Sequence, residues 1–399
     1  MFQFPEAIST AGFLERYWQK ALLFMPQALP GELPELSADE LGWLATLDDV
    51  ESRLVFTELK DDATHYRVEH GPFEAKLLAA LPPENWTLLV QDVEKHLPEF
   101  RKLLQQAPFI PDWRIDDLMV SFAVAGGSAG PHRDNYDVFL CQGTGRREWR
   151  MAPVNAGLKT IESGGLSLLE PFTDNSPITA SCGDVLYLPA GIAHWGIATE
   201  ACMTYSIGMR APTLSEFVAS LVRIQDDASI KYAGNDSLFY SDPDLTADEA
   251  EPGLITARAL DRARACFVID ASLPDDDFAY AFGCVLSDVK AWLAPEAPIG
   301  AEIDAFVKSL TAGSEVLVHG MARLAFLTSG KQKFVFANGF GKTVTPAQYE
   351  VFRRLCVNRA APGGLVQAML NSAGDNELLR WLVAQGAFDI LMEQPDDVT

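Results

Sequence analysis

No apolar run in the 399-residue chain is long enough to span a bilayer, so no membrane helix is expected. The opening Met1-Phe2-Gln3-Phe4-Pro5-Glu6 has no basic residue, unlike the start of a secretory leader, and the cytoplasm is the expected location. None of the six cysteines (Cys141, Cys182, Cys202, Cys266, Cys284, Cys356) stands in a C-x-x-C pair. That argues against a zinc ribbon or a disulfide framework and for reduced core thiols. Positive charge is scarce: 31 Lys and Arg face 55 Asp and Glu, a formal net charge of -24. Such a surface repels nucleic acid and anionic lipid and attracts a basic partner, although solubility alone also accounts for it. No internal repeat and no low-complexity tract is present.

What is present is a globular composition, 48% hydrophobic and 22% charged, in a chain too long for one ordinary core. Two or three domains are expected. Helical spacing covers 11–24, and Ser37-Ala38-Asp39-Glu40 has the S-x-x-E form of a capping box. Short strands are expected at 52–57, 65–70 and 86–90, with a helix over 94–106. His65 and His70 could be ligands, but neither has a spaced partner and exposed histidines are far commoner. The run 118–124 is almost wholly apolar, as in a central strand. Further strands fall at 146–151, 185–188, 194–199 and 202–209, and Gln142-Gly143-Thr144-Gly145 reads as a hairpin connection. Short strands joined by Gly and Pro turns suggest an antiparallel barrel over 1–212.

Beyond Pro212 the pattern turns helical. The segment 213–280 has too few residues for a core of its own and must pack on the barrel or on a second copy of itself. Within it, 241–251 is acidic and turn-rich, as in a surface loop. The remainder, 281–399, sets a strand pair (322–327 and 333–336) among helices at 301–310, 346–356, 364–371 and 376–385. Helices around a hairpin resemble a winged helix. No basic recognition stripe accompanies it, so docking to protein or a structural role is expected in place of DNA binding.

The chemistry concentrates at Gly126-Gly127-Ser128-Ala129-Gly130-Pro131-His132-Arg133-Asp134. A glycine-rich turn delivers an H-x-D pair onto what reads as a strand, where residues two apart share a face. His194 follows a Pro189-Ala190-Gly191 turn about sixty residues on. Two histidines and a carboxylate with the remaining positions open suit non-haem Fe(II), whereas a closed four-ligand set would be structural. The competing reading is a set of buried polar residues satisfied by hydrogen bonds, which leaves the glycine turn without a purpose. A 2-oxo acid co-substrate such as 2-oxoglutarate needs a cation for its far carboxylate. In Arg146-Arg147-Glu148-Trp149-Arg150-Met151, alternation groups Arg147 with Trp149 and Met151 on the inward face. Arg147 fits that role, and a salt bridge to a barrel carboxylate fits equally well. Ser121 lies mid-strand and could donate to the same carboxylate or bond to backbone. Asp184 reads as a turn cap, Tyr136 and Trp195 as walls of the site, and Asp137 as facing away from Asp134.

Three stretches carry a resemblance: Gly130 to Phe139, Gln142 to Trp149, and Asp184 to Trp195. Together with Phe13-Leu14-Glu15-Arg16-Tyr17-Trp18-Gln19-Lys20, they resemble the bacterial JmjC-type ribosomal oxygenases, and in particular the arginine hydroxylases of large-subunit ribosomal protein sixteen. The resemblance implies an α+β chain: a double-stranded β-helix of the jelly-roll or cupin type, a helical dimerisation segment and a C-terminal winged helix. It implies a dioxygenase using Fe(II), 2-oxoglutarate and O2, with iron on His132, Asp134 and His194 and co-substrate contacts from Arg147 and Ser121. It implies a homodimer through the middle helices and a basic ribosomal protein as substrate, while the acidic charge and the lack of long apolar runs lead to the expectation of no nucleic acid or membrane as partner. Histidine hydroxylation or lysine demethylation by the same site is the alternative chemistry. A metal-binding barrel that only docks a partner is the alternative outside catalysis.

Overall fold

A computed structural model describes residues 1–31, 34–60, 63–152, 156–163, 166–174, 176–225, 238–267, 273–296, 298–310, 315–361, 369 and 372–388. The chain divides into two compact units. The first holds Met1–Ile110, Arg114–Ala211 and Asp242–Asp248, and the second holds Pro111–Trp113, Pro212–Ser241 and what is described from Glu249 onward.

The first unit contains an eight-stranded antiparallel sheet. Its spatial order is β1 (Leu23–Met25), β11 (Val185–Leu188), β6 (Val138–Thr144), β13 (Cys202–Met209), β5 (Ile115–Ala123), β4 (Trp86–Val90), β2 (Ser52–Lys60) and β3 (Ala63–His70). A three-stranded sheet has the order β10 (Ile178–Ser181), β7 (Arg146–Ala152), β12 (Ala193–Ala198), and β8 (Thr160–Ser163) pairs with β9 (Leu166–Leu169) as a ribbon. The two sheets form a jelly-roll. Strand alternation sorts the large sheet's side chains. Leu118, Val120, Phe139, Cys141, Tyr187, Tyr205 and Ile207 pack with Phe13 and Leu14 of α1 (Thr10–Arg16) and with Leu41 and Leu44 of α2 (Ala38–Leu44). The opposite face sends Val138, Leu140, Leu186 and Leu188 against Trp149 and Ala180 of the small sheet. The second face also carries Met119, Ser121 and Ser206, which line the cavity described below.

Several expectations required correction. The helix over 11–24 stops at Arg16, where Lys20 donates to the carbonyls of Leu14 and Glu15 and Gln19 takes a φ of 55°. The apolar Leu23–Met25 then joins β11 as an edge strand. The helix over 94–106 is broken into Val93–His96 and Arg101–Leu104 around Pro98, which has no N–H to continue it. The expected hairpin at 142–145 is a corner between sheets. There β6 pairs with β11 and β13, β7 pairs with β10 and β12, and Gly145 turns the chain at a φ of 61°. His132 and Asp134 precede β6 and do not lie on it, because only His132 makes a bridge, to His194. Asp242, expected on a surface loop, is fully buried beside Arg114. The capping box at Ser37 and Glu40 forms as read.

The second unit is a three-stranded antiparallel sheet with helices on both faces. Its strands are β15 (Leu324–Ser329), β16 (Gln332–Ala337) and β17 (Phe340–Thr343), and a small pair joins β14 (Val316–Leu317) to β18 (Ala360–Ala361). Phe334 and Phe336 cluster with Phe217 of α6 (Leu214–Gln225) and with Phe278 and Phe282 of α8 (Asp275–Ser287). Phe326 and Val335 cluster with Phe352 and Leu355 of the helix Pro346–Asn358 and with Leu379 and Leu382 of the helix Ala373–Ala384. The helices of 213–280 therefore find their partner in the C-terminal sheet, and a boundary at 280 falls inside α8. The helix expected at 364–371 lies outside the described residues, save position 369.

Candidate metal centre

His132 and His194 sit side by side because two backbone hydrogen bonds staple their segments. His132 N–H donates to His194 O at 3.0 Å, and His194 N–H donates to His132 O at 2.9 Å. The ring centroids are 4.3 Å apart. Each Nδ1 faces a carbonyl, Gly130 O at 2.8 Å for His132 and Ile192 O at 3.0 Å for His194. A carbonyl only accepts, so the proton is assigned to Nδ1 and the Nε2 lone pair is left outward, as a metal-binding histidine requires. Both Nε2 atoms face Asp134, His132 at 3.8 Å from Oδ1 and His194 at 3.5 Å from Oδ2. The peptide carbonyl of Asp134 accepts from Gly191 N–H at 2.8 Å, which ties the carboxylate to the turn before β12. One donor atom from each of the three residues lies within 4.8 Å of the others. Burial, with the neighbouring His132, pushes the His194 imidazole down to about 4 against the pull of Asp134. It is therefore neutral and ready to coordinate near pH 7. Two imidazole nitrogens and one carboxylate, opening on a cavity, fit a divalent iron with free coordination positions.

The cavity is about 340 Å³ and reaches from these three residues to Arg147 and Ser121. Cross-strand register explains the alignment: on β12 and β7, His194 faces Met151, Gly196 faces Trp149 and Ala198 faces Arg147. Arg147 thus lies four residues along β7 from the position opposite His194, roughly 13 Å of strand. Trp149 fills the interval, and Gly196 makes room for it. A Cβ on Gly196 would stand 2.5 Å from the Trp149 ring.

Arg147 is 6% exposed. It donates to Ser121 Oγ at 3.3 Å and lies 3.7 Å from Cys202 Sγ, and its Nε has no partner. Among the described residues no carboxylate pairs with it, so the salt bridge that sequence allowed is not formed. Ser121 bonds to this guanidinium and not to backbone. A buried cation with open donors is costly unless an anion completes it, which suits the far carboxylate of a dicarboxylate co-substrate.

Tyr136 lines the cavity as expected. Trp195 does not. Alternation on β12 turns it opposite to His194, where its indole donates to Ser128 Oγ at 3.1 Å and its ring meets Phe172. Asp184 caps its turn, accepting from Ser181 N–H at 2.8 Å and Gln27 N–H at 2.9 Å. Sequence reasoning missed Asp117, a cavity-wall carboxylate 7% exposed that accepts from Asp92 N–H at 3.3 Å. The signal was available, since Asp117, Met119 and Ser121 follow a period of two along β5. Among the described residues no helix is long and apolar enough to cross a membrane.

Residues 102–217 match the JmjC domain model. The chain is 36% identical over 330 residues to the ribosomal protein uL16 3-hydroxylase of Escherichia coli, covering 82% of this chain and 83% of that protein. It is 34% identical over 257 residues to a probable ribosomal oxygenase of Haemophilus influenzae, covering 62% of this chain and 58% of that one. The structure of YcfD, a ribosomal oxygenase from Escherichia coli in complex with cobalt and 2-oxoglutarate, superposes with a TM-score of 0.70 at 31% identity, covering 98% of this chain and 99% of that one.

Proposed function

The chain belongs to the JmjC-domain ribosomal oxygenases, a 2-oxoglutarate-dependent enzyme family, and from that premise we propose that it hydroxylates an arginine side chain of a basic large-subunit ribosomal protein. The observation that carries the reading is the pairing of three convergent donors with a buried Arg147, at the other end of one cavity, that no carboxylate among the described residues meets. His132, Asp134 and His194 hold Fe(II), and Arg147 with Ser121 holds the distal carboxylate of 2-oxoglutarate. Bound there, Fe(II) supplies the redox chemistry by which O2 and 2-oxoglutarate yield CO2, succinate and a hydroxylated carbon.

The chain's own part is binding, orientation and shielding. Arg147 and Ser121 fix the co-substrate by its far end, so its 2-oxo acid end meets the donors in one orientation. Leu166 and Leu168 of β9, with Met119, give the cavity apolar walls that keep water from the reacting carbon. Asp117 and the face of Tyr136 suit a guanidinium, through charge and through the ring. The net charge of -24 favours encounter with a basic protein. The same reading includes a homodimer formed through the helices of 213–280, a protein-docking winged helix around β15 and β16, no direct contact with nucleic acid, and residence in the cytoplasm where ribosomal proteins are made.

The test is mass spectrometry of ribosomal proteins incubated with the enzyme, Fe(II) and 2-oxoglutarate. A gain of one oxygen on an arginine is expected, lost in His132→Ala. Modification confined to histidine, loss of lysine methyl groups, or no modification of any ribosomal protein would overturn the arginine assignment.

A further inference from the structure

Asp134 presents a difficulty for a metal centre. It sits on an irregular segment, after the single bridge at His132 and before β6 begins at Val138. One backbone bond, from Gly191 N–H to the Asp134 carbonyl, ties it to the turn before β12, but its neighbours Asn135 and Tyr136 are exposed, so packing does not hold the rest of this stretch. A ligand must nevertheless be kept within about 0.5 Å of its working position.

The segment ends in Asp137, which is fully buried. Its Oδ1 accepts from the Tyr187 hydroxyl at 2.6 Å, and its Oδ2 accepts from Gln19 Nε2 at 2.8 Å and lies 3.6 Å from Arg114 Nη2. Its peptide carbonyl accepts from Met209 N–H at 2.9 Å. The anchors are themselves anchored. Tyr187 Oη accepts from Gln19 N–H at 2.8 Å, and burial together with the Asp137 charge pushes its phenol well above the usual range, which keeps it a donor. Arg114 is shared with Asp242, whose Oδ2 lies 3.1 Å from its Nε and whose Oδ1 accepts from Trp18 Nε1 at 3.0 Å. Arg114 and Asp242 are likewise fully buried. Networks of this kind are weak sources of stability, because apolar residues of equal volume often do as well. What a fully bonded buried carboxylate supplies is a fixed position.

We infer that Asp137 is a positioning residue for the metal centre: held by Tyr187, Gln19 and Arg114, it fixes the trailing end of the 132–137 segment and so the place of Asp134 against His132 and His194. This rests on the reading of those three residues as the Fe(II) ligands.

The experiment is an anaerobic Co(II) titration of the purified full chain, followed by visible absorption and paired with metal-free melting temperatures. Asp137→Asn keeps the shape and removes the charge. Its metal affinity should fall about 10- to 100-fold, with a changed Co(II) spectrum, as for other groups that orient a ligand. Asp242→Asn, one step further from the ligand segment, should lower the melting temperature and weaken Co(II) binding less than Asp137→Asn does. Asp137→Asn binding Co(II) with wild-type affinity and spectrum would overturn the inference, as would equal losses of affinity in both variants. Should Asp137→Asn not fold, Tyr187→Phe, which deletes one bond to Asp137, should still shift the spectrum and weaken binding several-fold, and no change in either would refute the proposal. His132→Ala with undiminished Co(II) affinity would instead remove the metal-centre reading beneath it.

Discussion

Replacing Arg147 by Met separates the two roles that its sequence position allowed. A structural salt bridge and a co-substrate clamp predict opposite effects on the protein without 2-oxoglutarate. Breaking a buried ion pair by removing one partner costs about 3–5 kcal/mol of stability, because the other charge is stranded. Here Arg147 is 6% exposed, has no carboxylate among the described residues, and keeps only Ser121 and Cys202 as neighbours for its N–H groups. Removing it strands no anion and relieves the burial of a cation, so the co-substrate-free melting temperature should stay the same or rise. The cost should appear on binding. Truncating one side of a buried, hydrogen-bonded charge pair costs about 2–5 kcal/mol, which is about 30-fold to several-thousand-fold in the 2-oxoglutarate dissociation constant. Thermal unfolding at increasing 2-oxoglutarate with Co(II) present reads both quantities at once, since a ligand at 100 times its dissociation constant stabilises by about 2.7 kcal/mol. Arg147→Lys, which keeps the charge but loses the planar fork, should fall between the two. A variant that is strongly destabilised without 2-oxoglutarate, or one that binds it as the wild type does, would refute the clamp.

Three further predictions follow from the same cavity. His194 is held down to about 4, against an ordinary value of 6.5, so its neutral form is favoured by folding. The metal-free protein should therefore keep this contribution above pH 6.5 and lose roughly 3 kcal/mol at most as pH falls from there towards 4. Denaturant unfolding at pH 7 and pH 4.5 reads the loss, and His194→Asn showing the same pH-dependent loss would exclude His194 as its source. Gly196→Ala places a Cβ 2.5 Å from the Trp149 ring. Moving that ring should cost about 1–3 kcal/mol of stability and weaken 2-oxoglutarate binding, and a variant unchanged in both would show that Trp149 does not need this gap. Asp117→Asn should lower kcat/KM for an arginine-containing ribosomal substrate while leaving substrate-free turnover of 2-oxoglutarate intact. Equal loss in both assays would mean that Asp117 acts on the fold and not on the substrate.

Much of this molecule is legible one segment at a time. The period of two through Arg147, Trp149 and Met151 names the inward face of β7 without any knowledge of its neighbours, and the capping box at Ser37 and Glu40 is a contact three residues long. The H-x-D pair and His194 stand out by residue type, because few side chains bind a divalent metal. Meeting places, in contrast, depend on partners distant in the chain. Nothing local says that β6 and β7 part at Gly145 to join different sheets, since a glycine turn serves a hairpin and a corner equally well. Nothing local buries Asp242, whose acidic loop looks solvated until Arg114, more than a hundred residues earlier, comes up beneath it. Period and residue type are properties of neighbours in sequence, and they determined which side chains look inward. Which inward side chains share one cavity was decided only by sheet register, a sum of pairings over long separations. Register alone brought His194 against His132 and left Arg147 at the far end of their cavity, with no carboxylate among the described residues beside it.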